Sequence, residues 1–146
     1  MSERTPRIER SQTLAGRRVL LGVTGGIAAY KAAYLARLLR ERGAEVQVVM
    51  TPAATRFVGS DTFAALTGRE VYSDVFEHSE AVLHVRLARE ADAAVVAPAT
   101  ANVLAKLALG IADDLLTSTL LEFRGRWWWP PPCIRGCTRT PRPRTT

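Results

Sequence analysis

Residues 18–50 read RVLLGVTGGIAAYKAAYLARLLRERGAEVQVVM, a stretch in which the hydrophobic pattern changes period twice. From Arg18 to Val23 the run is short and continuously apolar after its first residue, the pattern of a strand covered on both faces. It stops at Thr24-Gly25-Gly26. Over residues 27–42, Ile27, Tyr30, Tyr34, Leu35, Leu38 and Leu39 recur near helical spacing, and Gly43 ends the run. That spacing predicts a helix of about four turns. Glu45 to Met50 (EVQVVM) then reads as a second strand. Strand, helix and strand in so short a stretch form a βαβ unit, whose crossover is right-handed.

The same alternation continues downstream. Thr51-Pro52 opens a short helix through Phe57, since Thr caps well and Pro suits the first helical turn. Ser60-Asp61 caps another that runs to Leu66, ahead of Gly68. Residues 93–97 (AAVVA) form a third buried strand closed by Pro98, residues 102–109 are helical up to Gly110, and residues 114–121 make a further helix. The expected fold class is therefore α/β, three layers around a parallel sheet. Upstream, residues 1–16 (MSERTPRIERSQTLAG) are a polar arm without the apolar core of a signal peptide. No stretch approaches the roughly 18 apolar residues of a membrane span, so a cytoplasmic protein without a membrane partner is expected. No internal repeat is present.

Length and composition agree with one soluble domain: 146 residues, 47% apolar and 23% charged, which excludes disorder and collagen-like repeats. The net charge of +6 is confined to one end. In residues 1–123, 14 basic and 14 acidic side chains cancel; residues 124–146 carry six Arg and no acid. The same end holds all three Trp, both Cys and five of the eight Pro. Such a break divides the chain into an arm (residues 1–16), a neutral domain (17–125) and an Arg/Pro/Trp-rich tail (126–146).

In open α/β sheets, ligands bind beyond the carboxyl ends of the strands, where turns meet helix N-termini. Three turns qualify: Thr24-Gly25-Gly26, Thr51, and the loop Pro98-Ala99-Thr100-Ala101-Asn102. They offer small residues for close backbone approach, hydroxyls, an amide, and backbone N–H groups for a phosphate. The first lacks the G-x-G-x-x-G spacing and is no Walker loop, and tight-turn geometry alone explains Gly25 and Gly26 equally well. Thr51 alone is adequately explained as a helix cap. The third loop is more informative, because Thr100 and Asn102 end a strand with no apolar task. Of the two His, His78 lies between acids in EHSEA, a solvated loop. His84, between Leu83 and Val85, fits a histidine at the edge of the core. Cys133 and Cys137 have neither a second pair nor a nearby His, so zinc and redox templates both fail and no metal is expected.

Taken together, GVTGGIAAYKAAYLARLLRERGAEVQVVMTPAATRFV and LHVRLAREADAAVVAPATANVLAKLALGIADDLLTSTLL closely resemble the flavin-binding half of the phosphopantothenoylcysteine decarboxylases. These belong to the homo-oligomeric flavin-containing cysteine decarboxylases. The resemblance covers residues 16–121 and implies a Rossmann-like flavoprotein fold with FMN as cofactor. It puts Gly25, Gly26 and Ile27 against FMN, with Thr51, Ala99, Thr100, Ala101 and Asn102 holding its phosphate and ring. His84 falls on the family's active-site histidine. The implied reaction is that of a lyase. FMN accepts electrons from the cysteine-derived thiol of phosphopantothenoylcysteine, the neighbouring carboxylate leaves as carbon dioxide, and return of the electrons gives 4′-phosphopantetheine for coenzyme A. The resemblance also implies a homotrimer or higher oligomer with flavin sites between subunits. A non-catalytic FMN-binding or regulatory flavoprotein on the same scaffold is the alternative. Flavin prenyltransferases share the glycine turn but not the context of His84.

Beyond residue 121 the sequence departs from that family, which continues with a buried strand, a Pro-x-Met-Asn or Pro-x-Met-His segment and a lid cysteine. Here the chain reads FRGRWWWPPPCIRGCTRTPRPRTT. Three Trp followed by three Pro do not suit a buried strand. Trp has the single codon TGG, so Trp127, Trp128 and Trp129 are encoded by TGG repeats, and the neighbouring reading frame gives GTG repeats and consecutive Val. Continued in that frame, the allowed codons include PVVVAPAMHPGMYENPAT, the segment the family carries. The expectation is a domain incomplete at its C-terminus, followed by an out-of-frame tail. A genuine basic, aromatic tail would instead stack on and neutralise single-stranded nucleic acid, but the chain has no nucleic-acid-binding fold, and no such partner is expected. Sequencing the coding DNA across codons 120–146 tests this: one base missing near codons 125–126 relative to related genes is the expected result, and an uninterrupted frame overturns it.

Overall fold

The computed structural model describes residues 13–76 and 82–129. Four strands, β1 (Arg18–Val23), β2 (Glu45–Met50), β3 (Ala93–Val96) and β4 (Arg126–Trp128), form one parallel sheet in the order β2-β1-β3-β4. β1 pairs along its whole length with β2, from Arg18 opposite Glu45 to Val23 opposite Met50, and on its other edge with β3. The chain thus leaves β1 to one side for β2 and returns to the other side for β3, which makes the gap between β1 and β3 the topological switch point of the sheet.

Helices cover both faces, as the continuous apolar runs in β1 and β2 require. Side chains of period two divide between two cores. Val19, Leu21, Val23, Val46, Val48 and Met50 pack with Phe63 and with Ala29, Ala32 and Ala36, beneath α1 (Ala29–Glu41) and α2 (Ser60–Thr67). On the opposite face Leu20, Val49, Ala94 and Val96 pack beneath α3 (Leu83–Glu90), α4 (Ala101–Leu109) and α5 (Leu115–Glu122), with Leu83, Leu87, Leu116 and Leu120 at the centre. The expected three-layer α/β fold is therefore the one observed.

Several elements differ in detail from their sequence patterns. The α1 helix begins at Ala29 and turns its alanines inward, while Ile27, Tyr30, Tyr34 and Leu38 are exposed. Large side chains at helical spacing marked the helix correctly but not its buried face. In place of a helix from Thr51 to Phe57 there is one 3-10 turn, Ala54–Arg56, whose first N–H is accepted by the Thr51 hydroxyl at 3.3 Å. The segment around His84, for which the sequence pattern specifies no element, is the helix α3; Leu83 and Leu87, four apart, form its buried stripe. β4 lies in the stretch expected to form no buried strand. It is a three-residue strand paired on one side with β3, Ala94 opposite Trp127, and only Trp127 and Trp129 pack partly onto the core, their ring centroids 4.8 Å apart. An edge strand needs one partner and one covered face, which alternate Trp side chains supply. His78, Cys133, Cys137 and residues 130–146 lie outside the described residues.

α5 lies close against β1 at Gly22, where a Cβ would fall 2.6 Å from Cδ1 of the fully buried Leu116. Gly22→Ala is expected to lower stability by about 1–3 kcal/mol through overpacking. Gly59→Ala, with open space around the added methyl, changes it by less than about 0.5 kcal/mol. Urea unfolding of the two variants checks the difference.

Candidate functional site

The three turns singled out in the sequence meet at the carboxyl end of the sheet, over the switch point. The first contact is between the turns after β1 and β2: a Cβ on Gly25 would lie 2.5 Å from Cβ of Ala53 and 2.9 Å from its carbonyl carbon. Only glycine lets these backbones approach so closely. The second is between the turns after β1 and β3, where a Cβ on Gly26 would reach Pro98 Cγ and Thr100 Cγ2 at 3.7 Å, ordinary contact. The third is a hydrogen bond in which the buried Thr24 hydroxyl donates to the carbonyl oxygen of Pro98. Thr24 was part of the turn in sequence but not among its expected ligand contacts; a hydroxyl closing a wholly apolar strand was the available signal.

Local folding explains the polar groups at this end. Thr100 is the N-cap of α4, its hydroxyl accepting from Val103 N–H at 3.4 Å, so Ala101 and Asn102 form the exposed first turn with their own N–H groups free of intrahelical partners. Among the described residues, the N–H groups of Gly25, Gly26, Ile27, Ala101 and Asn102 make no hydrogen bond. The turns 24–28, 51–54 and 97–102 carry no charged side chain. The result is an uncharged rim of small residues and unpaired donors, the chemistry that receives a phosphate. Thr51 is buried; it accepts from Ala54 N–H, and its own N–H donates to Val23. Ala99 is also buried, its methyl group in the core, so its backbone is what it offers the rim. Ile27 projects outward, 86% exposed, beside the glycine turn.

His84 is half-buried in the first turn of α3. The other end of α3 lies near the start of β1, because Glu90 and Ala91 line a cavity of about 20 Å³ with Arg18, Val19, Glu45 and Arg69. The helix therefore runs against the strand direction, with His84 in the turn farthest from that cavity. That small cavity has room for about one water and sits at the wrong end for the site. Among the described residues no group of His, Cys, Asp and Glu could hold a metal ion, and no helix is long and apolar enough to cross a membrane.

Residues 7–127 match the Flavoprotein family, and the chain belongs to it. Its curated relatives include the coenzyme A biosynthesis bifunctional protein CoaBC of Mycolicibacterium smegmatis, 53% identical over 110 residues that span 75% of this chain and 27% of the relative. The CoaBC of Bacillus subtilis is 51% identical over 120 residues, 81% of this chain and 30% of the relative. The chain thus spans less than a third of the length of these relatives. Among solved structures it is similar to the FMN-dependent cysteine decarboxylase SpaF, with a TM-score of 0.74 at 37% identity over 79% of this chain and 67% of that one. A PPC decarboxylase mutant complexed with pantothenoylaminoethenethiol aligns with a TM-score of 0.67 at 31% identity, over 77% of this chain and 65% of that one. The expected Rossmann-like flavoprotein fold is the fold of these neighbours, and FMN stands in the name of the first.

The two glycines of the first turn should respond differently to the same methyl group. Gly25→Ala forces the backbone at Ala53 to move and is expected to cost about 1–3 kcal/mol, whereas Gly26→Ala stays within about 0.5 kcal/mol of the parent. Denaturant melts of both variants, read by circular dichroism, measure the difference.

Proposed function

We propose that this chain binds FMN at the carboxyl end of its sheet and serves in the decarboxylation of 4′-phosphopantothenoylcysteine to 4′-phosphopantetheine in coenzyme A biosynthesis. The observation that carries this reading is the convergence of the three turns into an uncharged rim of free N–H donors at the β1/β3 switch point. Each expected contact has a physical task there. The N–H groups of Gly25, Gly26, Ala101 and Asn102 receive the phosphate, with the hydroxyls of Thr51 and Thr100 beside them. Absence of side chains at Gly25 and Gly26 lets a flat ring lie against the backbone, and the exposed Ile27 covers it with an apolar surface. The Asn102 amide, exposed at the first turn of α4, is placed to hydrogen-bond the ring or the substrate.

Bound FMN supplies an electron sink for oxidation at the cysteine-derived thiol, which makes loss of the adjoining carboxylate possible. His84 serves as acid, base or orienting group toward the substrate from the start of α3. Assembly into a homotrimer or larger oligomer completes the site: the exposed stripe Ile27, Tyr30, Tyr34 and Leu38 runs from the glycine turn down α1 and supports burial against a second copy.

His84→Asn is expected to keep bound flavin, seen as unchanged visible absorbance of the purified protein, and to lower carbon dioxide release by about 10²–10⁴-fold. Unchanged turnover would remove His84 from the chemistry. A flavin-loaded parent protein that releases no carbon dioxide from the substrate would instead identify a flavin-binding protein without decarboxylase activity.

A further inference from the structure

We infer that Thr24 is a positioning residue for the phosphate of the cofactor, an inference that rests on the FMN reading above. The Thr24 side chain is buried at the last position before the glycine turn, and its hydroxyl donates to the carbonyl oxygen of Pro98, 74 residues away in sequence. That bond joins the end of β1 to the loop after β3. The two groups of N–H donors assigned to the phosphate lie on either side of it, Gly25 and Gly26 following Thr24 directly, Ala101 and Asn102 following Pro98 by three and four residues. Other ties between the two turns are weaker: the approach of Gly26 to Pro98 and Thr100 is ordinary van der Waals contact. The sheet itself ends below them, at the hydrogen bond from Ala97 N–H to the Gly22 carbonyl. A buried hydroxyl bond has a direction as well as a length, so it fixes the separation and the angle of the two turns together.

Anions bound by several backbone donors gain most when all donors reach them at once, and a small displacement of one group forfeits part of the set. With its side chain buried and its hydroxyl donated to Pro98, Thr24 acts through the Pro98 loop. Its removal should therefore weaken recognition of the phosphate while leaving contacts with the isoalloxazine ring in place.

Comparing FMN with riboflavin, which lacks the phosphate, separates these effects. Thr24→Val removes the hydroxyl at nearly constant shape; fluorescence titration of the apoprotein is expected to show about tenfold weaker FMN binding with riboflavin binding unchanged. Thr24→Ser, which keeps the donor, is expected to restore the parental preference for FMN. If the parent chain binds neither flavin, the FMN reading itself fails. If the parent prefers FMN and Thr24→Val keeps that preference, the positioning role of Thr24 is overturned. Should Thr24→Val not fold, Thr24→Ala is titrated in its place, and failure of both to fold assigns Thr24 to stability alone and likewise overturns the proposal.

Discussion

The approach of the Gly25 backbone to Ala53 sets the geometry of the whole carboxyl end of the sheet. Two parallel strands in register, β1 and β2, end at the same height, with Val23 opposite Met50. Their exit turns then compete for one space, and an added Cβ at Gly25 would sit 2.5 Å from Ala53. Glycine in the first turn and alanine in the second resolve the competition, and the Gly25 and Gly26 N–H groups are left without partners. The third turn is drawn in on the other side by the Thr24 bond to Pro98. Close packing between the first two loops thus has one cause, the shortage of room above a central parallel strand, while the donors of the third come from the first turn of α4.

The architecture was legible in the sequence because its signals were local. An apolar run that fills both faces, a glycine stop and a return to apolar residues specify β1, α1 and β2 without reference to any contact. Errors arose where packing decided the outcome. In α1 the inward residues are Ala29, Ala32 and Ala36, because the helix lies close to the sheet and only small side chains fit the interface. Tyr30 and Tyr34 share the helical period and stand outside, while Leu35 and Leu39 pack against the core, so periodicity marks the element without fixing its buried face. The α3 helix was missed for a different reason. Its Leu83 and Leu87 stripe is no shorter than that of α2, but Val82 and Ala91 flank it where α2 has Gly59 and Gly68, so neither end carries a start or stop signal.

Site residues were legible by type and position, less so by role. Thr100 and Asn102 at a strand end, and glycines after β1, fall where the switch point requires them. Nothing in the sequence separates Ala99, whose methyl group enters the core, from Ala101, which is exposed beside a free N–H. For Thr24 the sequence offered a hydroxyl at the end of an apolar strand but not its partner, a main-chain oxygen 74 residues away. The role proposed for His84 comes from family resemblance; its sequence neighbours alone point to a core edge. In the fold, α3 runs against the strand direction, with His84 in its first turn.

The two ends of the sheet are built from different chemistry, and the difference follows from what each must do. At the amino end, Arg69 bonds Glu45 at 3.2 Å and Gln47 at 3.1 Å, Arg18 lies 3.6 Å from Glu45, and the Arg18 N–H donates to Asp92. Exposed pairs of this kind are worth about 0–1 kcal/mol each, so their effect is to order the strand starts more than to stabilise the domain. At the carboxyl end the turns hold no charge. A charged side chain there would neutralise or displace an incoming anion, whereas main-chain donors fixed by tight turns accept it without a counter-charge to desolvate. Charge at one end and bare backbone at the other let the domain keep its strands in register while leaving the rim free for a ligand.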